Sequence, residues 1–273
     1  MRWARLIGRD HTILRELAAV AEGEAALAIS RGGARKTYDY VEPNEDAALF
    51  ALGDAGMFVA LADGHNGAGG SQAVLHLLRE TFAPAWTAAG EGVGGEAGWR
   101  RSALDALLAC NHAVLAEGAA SQRPPAPTTL SFVLVRPREG LLAHAAMGDS
   151  HIFRVSQESG EELGWAAGER ERTYFLGYAA ETADGMADKC IIDTSPLEGA
   201  RAIVLATDGL SERGIGVADP GAVALQAVDQ AENARTVQRP LSAAKAVAHI
   251  AMRAHREQRA GDNIATAVLW LQD

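Results

Sequence analysis

The chain has 273 residues, of which 48% are hydrophobic and 22% are charged, and its formal net charge is −10. This composition is ordinary for a globular protein and excludes extensive disorder. The acidic balance disfavours nucleic acids and anionic membranes as partners, because such binding depends on Lys and Arg side chains that neutralise phosphates.

The first half of the chain alternates apolar runs with helical patterns. A short amphipathic lead over residues 1–22 is followed by strands and then by two helices, which a Gly-rich connector separates. The predicted strands span residues 25–30, 47–52 and 57–62. The first helix covers residues 71–86, with Ser71 as its cap and a stop or kink at Pro84, and the second covers residues 99–117.

The second half of the chain is richer in strands. These are predicted at residues 128–135, 141–147, 152–155, 190–193, 202–207 and 264–271. Asp219 caps a helix that Pro220 opens, and Pro240 opens another that ends near residue 258. The order of elements indicates an α+β fold, an αββα sandwich with two central, mainly antiparallel β-sheets flanked by pairs of helices. Since no internal repeat or low-complexity tract occurs, we expect residues 1–273 to form a single domain.

The cysteines and the apolar runs of the sequence indicate where in the cell the protein is expected. Cys110 and Cys190 lie far from any metal-ligand spacing, which argues against a disulfide scaffold and a zinc site. The basic start of the chain is not followed by an apolar run typical of a signal peptide, and no stretch of about 18 apolar residues occurs. We therefore expect a cytoplasmic monomer that binds neither membrane nor nucleic acid.

Four aspartates lie at the ends of apolar runs. They are Asp63, Asp149, Asp208 and Asp262. If the strand ends share an edge, these carboxylates repel one another unless divalent cations such as Mg²⁺ or Mn²⁺ neutralise them. Asp-Gly is also a common hairpin turn, and that alternative holds for any single dipeptide. The set of four favours a metal site.

The motifs around these aspartates follow one another in a characteristic order. They are Asn-Glu-Asp-Ala at 44–47, Asp-Gly-His at 63–65, Thr-Thr at 128–129, Gly-Asp-Ser at 148–150, Asp-Gly at 208–209 and Gly-Asp-Asn at 261–263. Together they resemble the metal-dependent serine/threonine protein phosphatases of the 2C family, in particular its bacterial members. The resemblance extends from Asn44 to the last strand, and it implies hydrolysis of phosphoserine and phosphothreonine in proteins.

The resemblance also implies a ligand set for two Mn²⁺ or Mg²⁺ ions. Asp63 bridges the two cations, and the backbone carbonyl of Gly64 binds one of them. The other implied members are Asp208 and Asp262 at the first cation, Asp149 with Asp208 at a third cation, and Glu45 and Asp46, which hold metal-bound water. A water activated between the two cations then attacks the phosphorus.

His65 lies next to these ligands in sequence. The resemblance implies that it protonates the leaving serine or threonine alkoxide, a task that suits imidazole because its pKa lies near neutrality. With Asp63 it completes the expected catalytic pair. A histidine in a surface turn is the alternative interpretation. The other histidines are interpreted as structural or solvated.

Two features depart from the family pattern. Residues 41–43 occupy the place where the family usually has an arginine that binds the substrate phosphate, and Arg35 is the expected replacement, with Lys36 and Arg31 as further candidates. An exposed basic turn is the alternative. The family's Thr-x-Asp-His segment is missing between residues 150 and 208, which indicates a reduced or altered substrate-side flap.

Two other functions are alternatives to catalysis on phosphoproteins. A non-catalytic signalling or binding module would account for the displaced arginine, whereas the unbroken acidic set favours an enzyme. A metal nuclease is disfavoured by the acidic balance and by the lack of a basic groove. The sequence therefore predicts an active serine/threonine phosphatase whose partner is a phosphorylated protein.

Overall fold

Two β-sheets form the centre of the molecule. The structure, a computed structural model, describes residues 1–37, 40–90, 93–164 and 174–271. Within these ranges each sheet has six strands, and every pairing between them is antiparallel. Helices pack on the outer faces, so the predicted αββα sandwich is confirmed.

The strands are numbered in chain order. They are β1 (Arg2–Ile7), β2 (Ala18–Glu22), β3 (Ala25–Ser30), β4 (Ala47–Leu52), β5 (Met57–Ala62), β6 (Leu130–Arg136), β7 (Leu141–Met147), β8 (His151–Val155), β9 (Gly160–Glu162), β10 (Ile191–Pro196), β11 (Ala202–Ala206) and β12 (Ile264–Trp270). The first sheet has the order β1-β4-β5-β6-β7-β10, and the second has the order β2-β3-β12-β11-β8-β9. Strands β3, β4, β6, β11 and β12 are buried at every residue, as expected for strands covered on both faces.

The helices form the two outer layers. They are α1 (Gly69–Leu77), a π-helical turn at Leu78–Phe82, α2 (Ala83–Thr87), α3 (Gly95–Ser121), the short α4 (Ala183–Ala187), α5 (Pro220–Glu232) and α6 (Arg239–Gln258). Val74 of α1 and Leu107 of α3 pack on the first sheet, and Val247 of α6 packs on the second. None of the helices in the described ranges is long and apolar enough to span a membrane.

Residues 1–22 differ from the expected lead, because they contribute a strand to each sheet. β1 pairs with β4 at the edge of the first sheet, and β2 pairs with β3 at the edge of the second. Both strands are half-exposed, so their sequence lacks the continuous apolar run that marks the buried strands. The N-terminal segment therefore belongs to the sandwich.

The helix boundaries correct two further predictions. Ala68, not Ser71, takes the N-cap position of α1, and the buried Ser71 hydroxyl donates a hydrogen bond to the carbonyl of Glu45 (2.6 Å). Pro84 lies in the first turn of α2, where a missing N–H costs no helical bond, so the chain continues past it. The predicted cap of α5 is present, since the Asp219 carboxylate accepts a hydrogen bond from the backbone N–H of Ala222 (2.9 Å).

Candidate active site

The four strand-end aspartates lie around one pocket where the two sheets converge. Asp63 follows β5, Asp149 precedes β8, Asp208 lies just beyond β11, and Asp262 precedes β12. Carboxylate oxygens of Asp63, Asp149 and Asp208 lie within 4.8 Å of one another. The pocket has a volume of about 280 Å³ and is lined by Lys36, Glu45, Asp63, Gly64, His65, Asn66, Asp149, Asp208, Glu212 and Asp262.

The adjacent threonines hold the backbone of Asp63 on both sides. The Thr128 hydroxyl donates to the carbonyl of Asp63 (2.8 Å), and the backbone N–H of Thr129 donates to the same carbonyl (2.9 Å). The N–H of Asp63 in turn donates to the Thr129 hydroxyl (3.0 Å). Because every backbone polar group of Asp63 is bonded, its carboxylate is held toward the pocket by a fixed backbone.

Gly64 occupies a position where a side chain does not fit. A Cβ added there would lie 2.7 Å from the carbonyl oxygen of Glu45 and 2.9 Å from that of Gly67. The N–H of Gly64 also donates to the Glu45 carbonyl (3.2 Å). Only glycine allows the backbone to pass this closely beside these two carbonyl groups.

Glu45 and Asp46 bring two more buried carboxylates to the site. One oxygen of Glu45 accepts from the backbone N–H groups of Val41 (3.3 Å) and Glu42 (3.1 Å). Asp46 Oδ2 accepts from the Thr207 hydroxyl (2.8 Å), whereas Asp46 Oδ1 is buried with no hydrogen-bond partner among the described residues. A buried carboxylate oxygen without a donor is costly, so this atom suits a cation or the water of a cation.

Burial and mutual repulsion shift the pKa values of these acids. Burial, followed by the neighbouring carboxylates, raises the pKa of Asp63 and that of Asp208 well above the usual value. Burial also raises the pKa of Asp46, to about 7. These acids repel one another when they are ionised together, and a bound cation would relieve that repulsion. Their ligand atoms are all oxygens, which hard divalent cations such as Mg²⁺ and Mn²⁺ prefer.

Lys36 is the basic residue that reaches these carboxylates. Its ammonium lies 3.0 Å from Asp262 Oδ1 and 3.9 Å from Glu45 Oε2, and its side chain is only 5% exposed. Burial lowers the pKa of Lys36, but Asp262, Asp63 and Asp46 outweigh that effect and the net pKa is raised. The ammonium is therefore held in its charged form at the wall of the pocket.

Arg35, the expected phosphate ligand, lies outside the pocket lining. Its side chain is exposed, and its carbonyl accepts from the backbone N–H of Gly261 (3.0 Å). Arg31 is also committed elsewhere, because its guanidinium donates to the carbonyl of Thr12 (3.0 Å) and to the hydroxyl of Tyr40 (3.2 Å). Of the three candidates in this loop, Lys36 is the one that lines the pocket.

His65 lines the pocket beside the acids. Its ring packs against Phe175 with a centroid distance of 4.4 Å, and its backbone N–H donates to the carbonyl of Pro127 (2.7 Å). Its Nδ1 is buried with no hydrogen-bond partner among the described residues. The alternative of a solvated surface turn does not describe this half-buried ring.

Two features of the site were not predicted from the sequence: the presence of Glu212, and the bridging role of Asn263, which was noted only as part of a motif. Glu212 lines the pocket four residues after Asp208, a spacing that could have indicated it. Asn263 joins distant segments, since its Oδ1 accepts from the N–H of Glu45 (2.9 Å) and its Nδ2 donates to the carbonyl of Pro43 (2.9 Å). The sequence around Asn263 contains no pattern that predicts these hydrogen bonds to distant residues. The predicted flap alteration falls partly on residues 165–173, which lie outside the described residues.

The fold and the pocket together define a class of protein. Two antiparallel sheets that bring oxygen ligands to one edge form the framework of a metal-dependent hydrolase. The family model of protein phosphatase 2C matches residues 33–252. The chain belongs to the protein phosphatase 2C family.

Solved structures share this fold. A bacterial serine phosphatase has 15% identity and a TM-score of 0.67, with 92% of this chain and 98% of that chain covered. Stp1 from Staphylococcus aureus has 15% identity and a TM-score of 0.67, with 93% and 96% covered. PstP from Mycobacterium tuberculosis has 19% identity and a TM-score of 0.61, with 94% and 99% covered. The catalytic domain of PstP has also been solved with two manganese ions. No curated protein matches the chain in sequence.

Membership of the family confirms the predicted class of enzyme. The chain is a metal-dependent serine/threonine phosphatase, a hydrolase, and the catalytic interpretation is favoured over the non-catalytic module.

Proposed function

We propose that this protein removes phosphate from serine and threonine residues of a phosphorylated protein in cytoplasmic signalling, acting as a single-domain monomer. One observation carries the proposal: carboxylate oxygens of Asp63, Asp149 and Asp208 lie within 4.8 Å of one another in a pocket that His65 also lines. Such crowding of acids is costly unless cations bind there.

We infer the cation-binding roles from the donor atoms of the pocket. Asp63 and the Gly64 carbonyl would hold the two divalent cations, and Asp149 with Asp208 would hold a third. Asp208 and Asp262 would complete the first position, and Glu45 and Asp46 would act through water. When bound, the cations supply a nucleophilic water near neutral pH and neutralise charge on the phosphoryl oxygens.

Lys36 binds the substrate phosphate in this proposal. Its ammonium is charged and largely buried, and it lies on the pocket wall between Asp262 and Glu45. A compact cation with three donors can exchange one carboxylate contact for a phosphoryl oxygen. Lys36 thus takes the task that the sequence assigned to Arg35.

His65 acts as the general acid. A ring N–H donates its proton to the oxygen of the departing serine or threonine. The side chain then leaves as a neutral alcohol and not as an alkoxide, which is a poor leaving group. The packing of Phe175 against the imidazole restricts its orientation at the pocket. Asp63 and Asp149 remain acceptors throughout and exchange no proton with the substrate.

Phosphatase assays test the proposal. Purified protein is assayed with p-nitrophenyl phosphate and with phosphoserine, phosphothreonine and phosphotyrosine peptides, with Mn²⁺, with Mg²⁺ and with EDTA. We expect hydrolysis that depends on the added cation and favours phosphoserine or phosphothreonine peptides. Full activity in EDTA would contradict the metal site. Absence of turnover with tight Mn²⁺ binding would instead support the non-catalytic module.

A further inference from the structure

We propose that His151 is a positioning residue that locks together the two chain segments carrying Asp149 and Asp208, and thereby sets the affinity of the third cation position. This inference rests on the proposed function for the identity of that position. It concerns a hydrogen-bonded chain, Glu162–His151–Ser211, in which His151 and Ser211 are buried and Glu162 is partly exposed. The chain lies beside the pocket and is not part of its lining.

Both ring nitrogens of His151 make short contacts. Nδ1 lies 2.6 Å from Oε2 of Glu162, and Nε2 lies 2.6 Å from the hydroxyl of Ser211. The ring is 3% exposed and stacks on Phe153 with a centroid distance of 5.2 Å and an interplanar angle of 15°. A histidine held by two polar partners and one aromatic face has little freedom to rotate.

The partners assign the tautomer. An ionised carboxylate is an acceptor only, so the proton of the neutral imidazole lies on Nδ1 and donates to Glu162. Nε2 then accepts from the Ser211 hydroxyl. Glu162 is itself fixed, because its Oε1 accepts from the backbone N–H groups of Ile152 (3.0 Å) and Gly164 (2.9 Å).

The backbone shows what this chain of bonds joins. His151 is the first residue of β8, two residues after Asp149, and it pairs with Ala206 at the last position of the β8–β11 ladder. Beyond that pair the chain turns into the Asp208–Leu210 segment, where the N–H of Ser211 donates to the carbonyl of Asp208 (2.7 Å). The side-chain bond from His151 to Ser211 extends the connection between the strands past the end of the ladder.

A nucleophilic role for Ser211 is the competing interpretation. Ser211, His151 and Glu162 are hydrogen-bonded in the same order as the serine, histidine and acid of a hydrolytic triad. The serine is only 8% exposed and does not line the pocket, so a substrate carbonyl or phosphoryl group has no approach to it through that pocket. A positioning role requires no approach and uses the same two bonds.

Displacement of either segment would separate Asp149 from Asp208, whose oxygens now lie within 4.8 Å of each other. Outer hydrogen bonds that fix ligand carboxylates typically change metal affinity by about 10- to 100-fold. Asp149 contributes only to the third position, whereas Asp208 also contributes to the first, which Asp63 and Asp262 support as well. The third position should therefore lose the most affinity, and the other positions should lose less.

The test measures Mn²⁺ binding directly, by isothermal titration calorimetry on the full chain. His151→Phe keeps the stacking surface and removes both bonds. We expect the weakest Mn²⁺ site, the third position, to lose about tenfold or more in affinity, a larger loss than at either tight site. Ser211→Ala removes one bond and should give a smaller loss at the same site. His144→Phe replaces an equally buried histidine on β7 and is the matched control.

Two outcomes would overturn the inference. One is a wild-type chain that binds no third Mn²⁺ ion, and the other is an unchanged weak site in both His151→Phe and Ser211→Ala. Circular dichroism verifies that each variant is folded. If His151→Phe does not fold, Ser211→Ala alone tests the inference. Because binding is measured without turnover, failure here is distinct from failure of the phosphatase assay.

Discussion

The two sides of the pocket are built in different ways. On the acidic side, Asp63 and Asp208 lie at the ends of buried strands, where the sheet ladders fix their positions. On the loop side, Lys36 lies between β3 and β4, in a segment held by individual hydrogen bonds such as those of Asn263. The positions of the strand-end carboxylates therefore follow from the fold, whereas the basic residue that the loop presents can change without changing the fold.

Removing a strand-end carboxylate should have the largest effect. Asp63→Asn, Asp208→Asn and Asp262→Asn each delete a negative ligand from a shared site, and we expect kcat with Mn²⁺ to fall about 100-fold or more. Calorimetry should show weaker Mn²⁺ binding in each. The variants should remain folded, since relief of repulsion offsets the lost ligand. A variant that retains most of its activity would remove that residue from the acidic side.

His65→Ala should separate proton transfer from cation binding. We expect turnover of phosphoserine peptides to fall by about 10²- to 10⁴-fold, the usual contribution of a general acid. Hydrolysis of p-nitrophenyl phosphate should fall much less, because its leaving group needs little protonation. Mn²⁺ affinity should stay unchanged and serves as the control. Equal losses on both substrates would indicate that His65 only shapes the pocket.

The loop side is tested by neighbouring residues. Lys36→Ala should raise KM for phosphopeptides about tenfold, because one charge-assisted contact to phosphate is lost. Arg35→Ala is the matched control, since its side chain is exposed outside the pocket, and it should change kcat and KM by less than about twofold. A larger effect from Arg35→Ala would reverse the assignment and restore the prediction made from the sequence.

A smaller effect concerns the pH dependence of stability without cations. Burial, with a smaller contribution from Asp262, raises the folded-state pKa of Asp46 to about 7, above the unfolded value of about 4. A raised pKa adds stability at low pH, which is lost as pH increases through the folded value. In EDTA the melting temperature should therefore fall by several degrees between about pH 5.5 and about pH 8.

Added Mn²⁺ is the control for that measurement. Cations bind the ionised carboxylates and stabilise the folded state by mass action, so the decline should be reduced or abolished. A melting temperature in EDTA that rises over the same range would show that these acids do not govern the stability of the cation-free protein.

The same contrast explains how much the sequence could predict. Buried strands and strand-end aspartates carry local signals, and the fold and the acidic cluster could be inferred from them. β1 and β2 were missed because half-exposed edge strands lack such a pattern. The sequence could not show that Lys36, and not Arg35, lines the pocket, because the direction of a loop side chain depends on partners more than 200 residues away, such as Asp262. Local spacing contains no record of those contacts.

The position of β12 has a consequence for the order of folding. This strand lies between β3 and β11, so the second sheet cannot close until Ile264–Trp270 has been synthesised. The pairing of β3 with β12 joins segments from almost opposite ends of the chain. Such pairing is slow to form, because the entropy cost of closing the long loop comes before any stabilising contact is made. Asp262 lies two residues before this strand, so its carboxylate reaches the pocket only when β12 has taken its place between β3 and β11. The acidic cluster is therefore completed together with the second sheet.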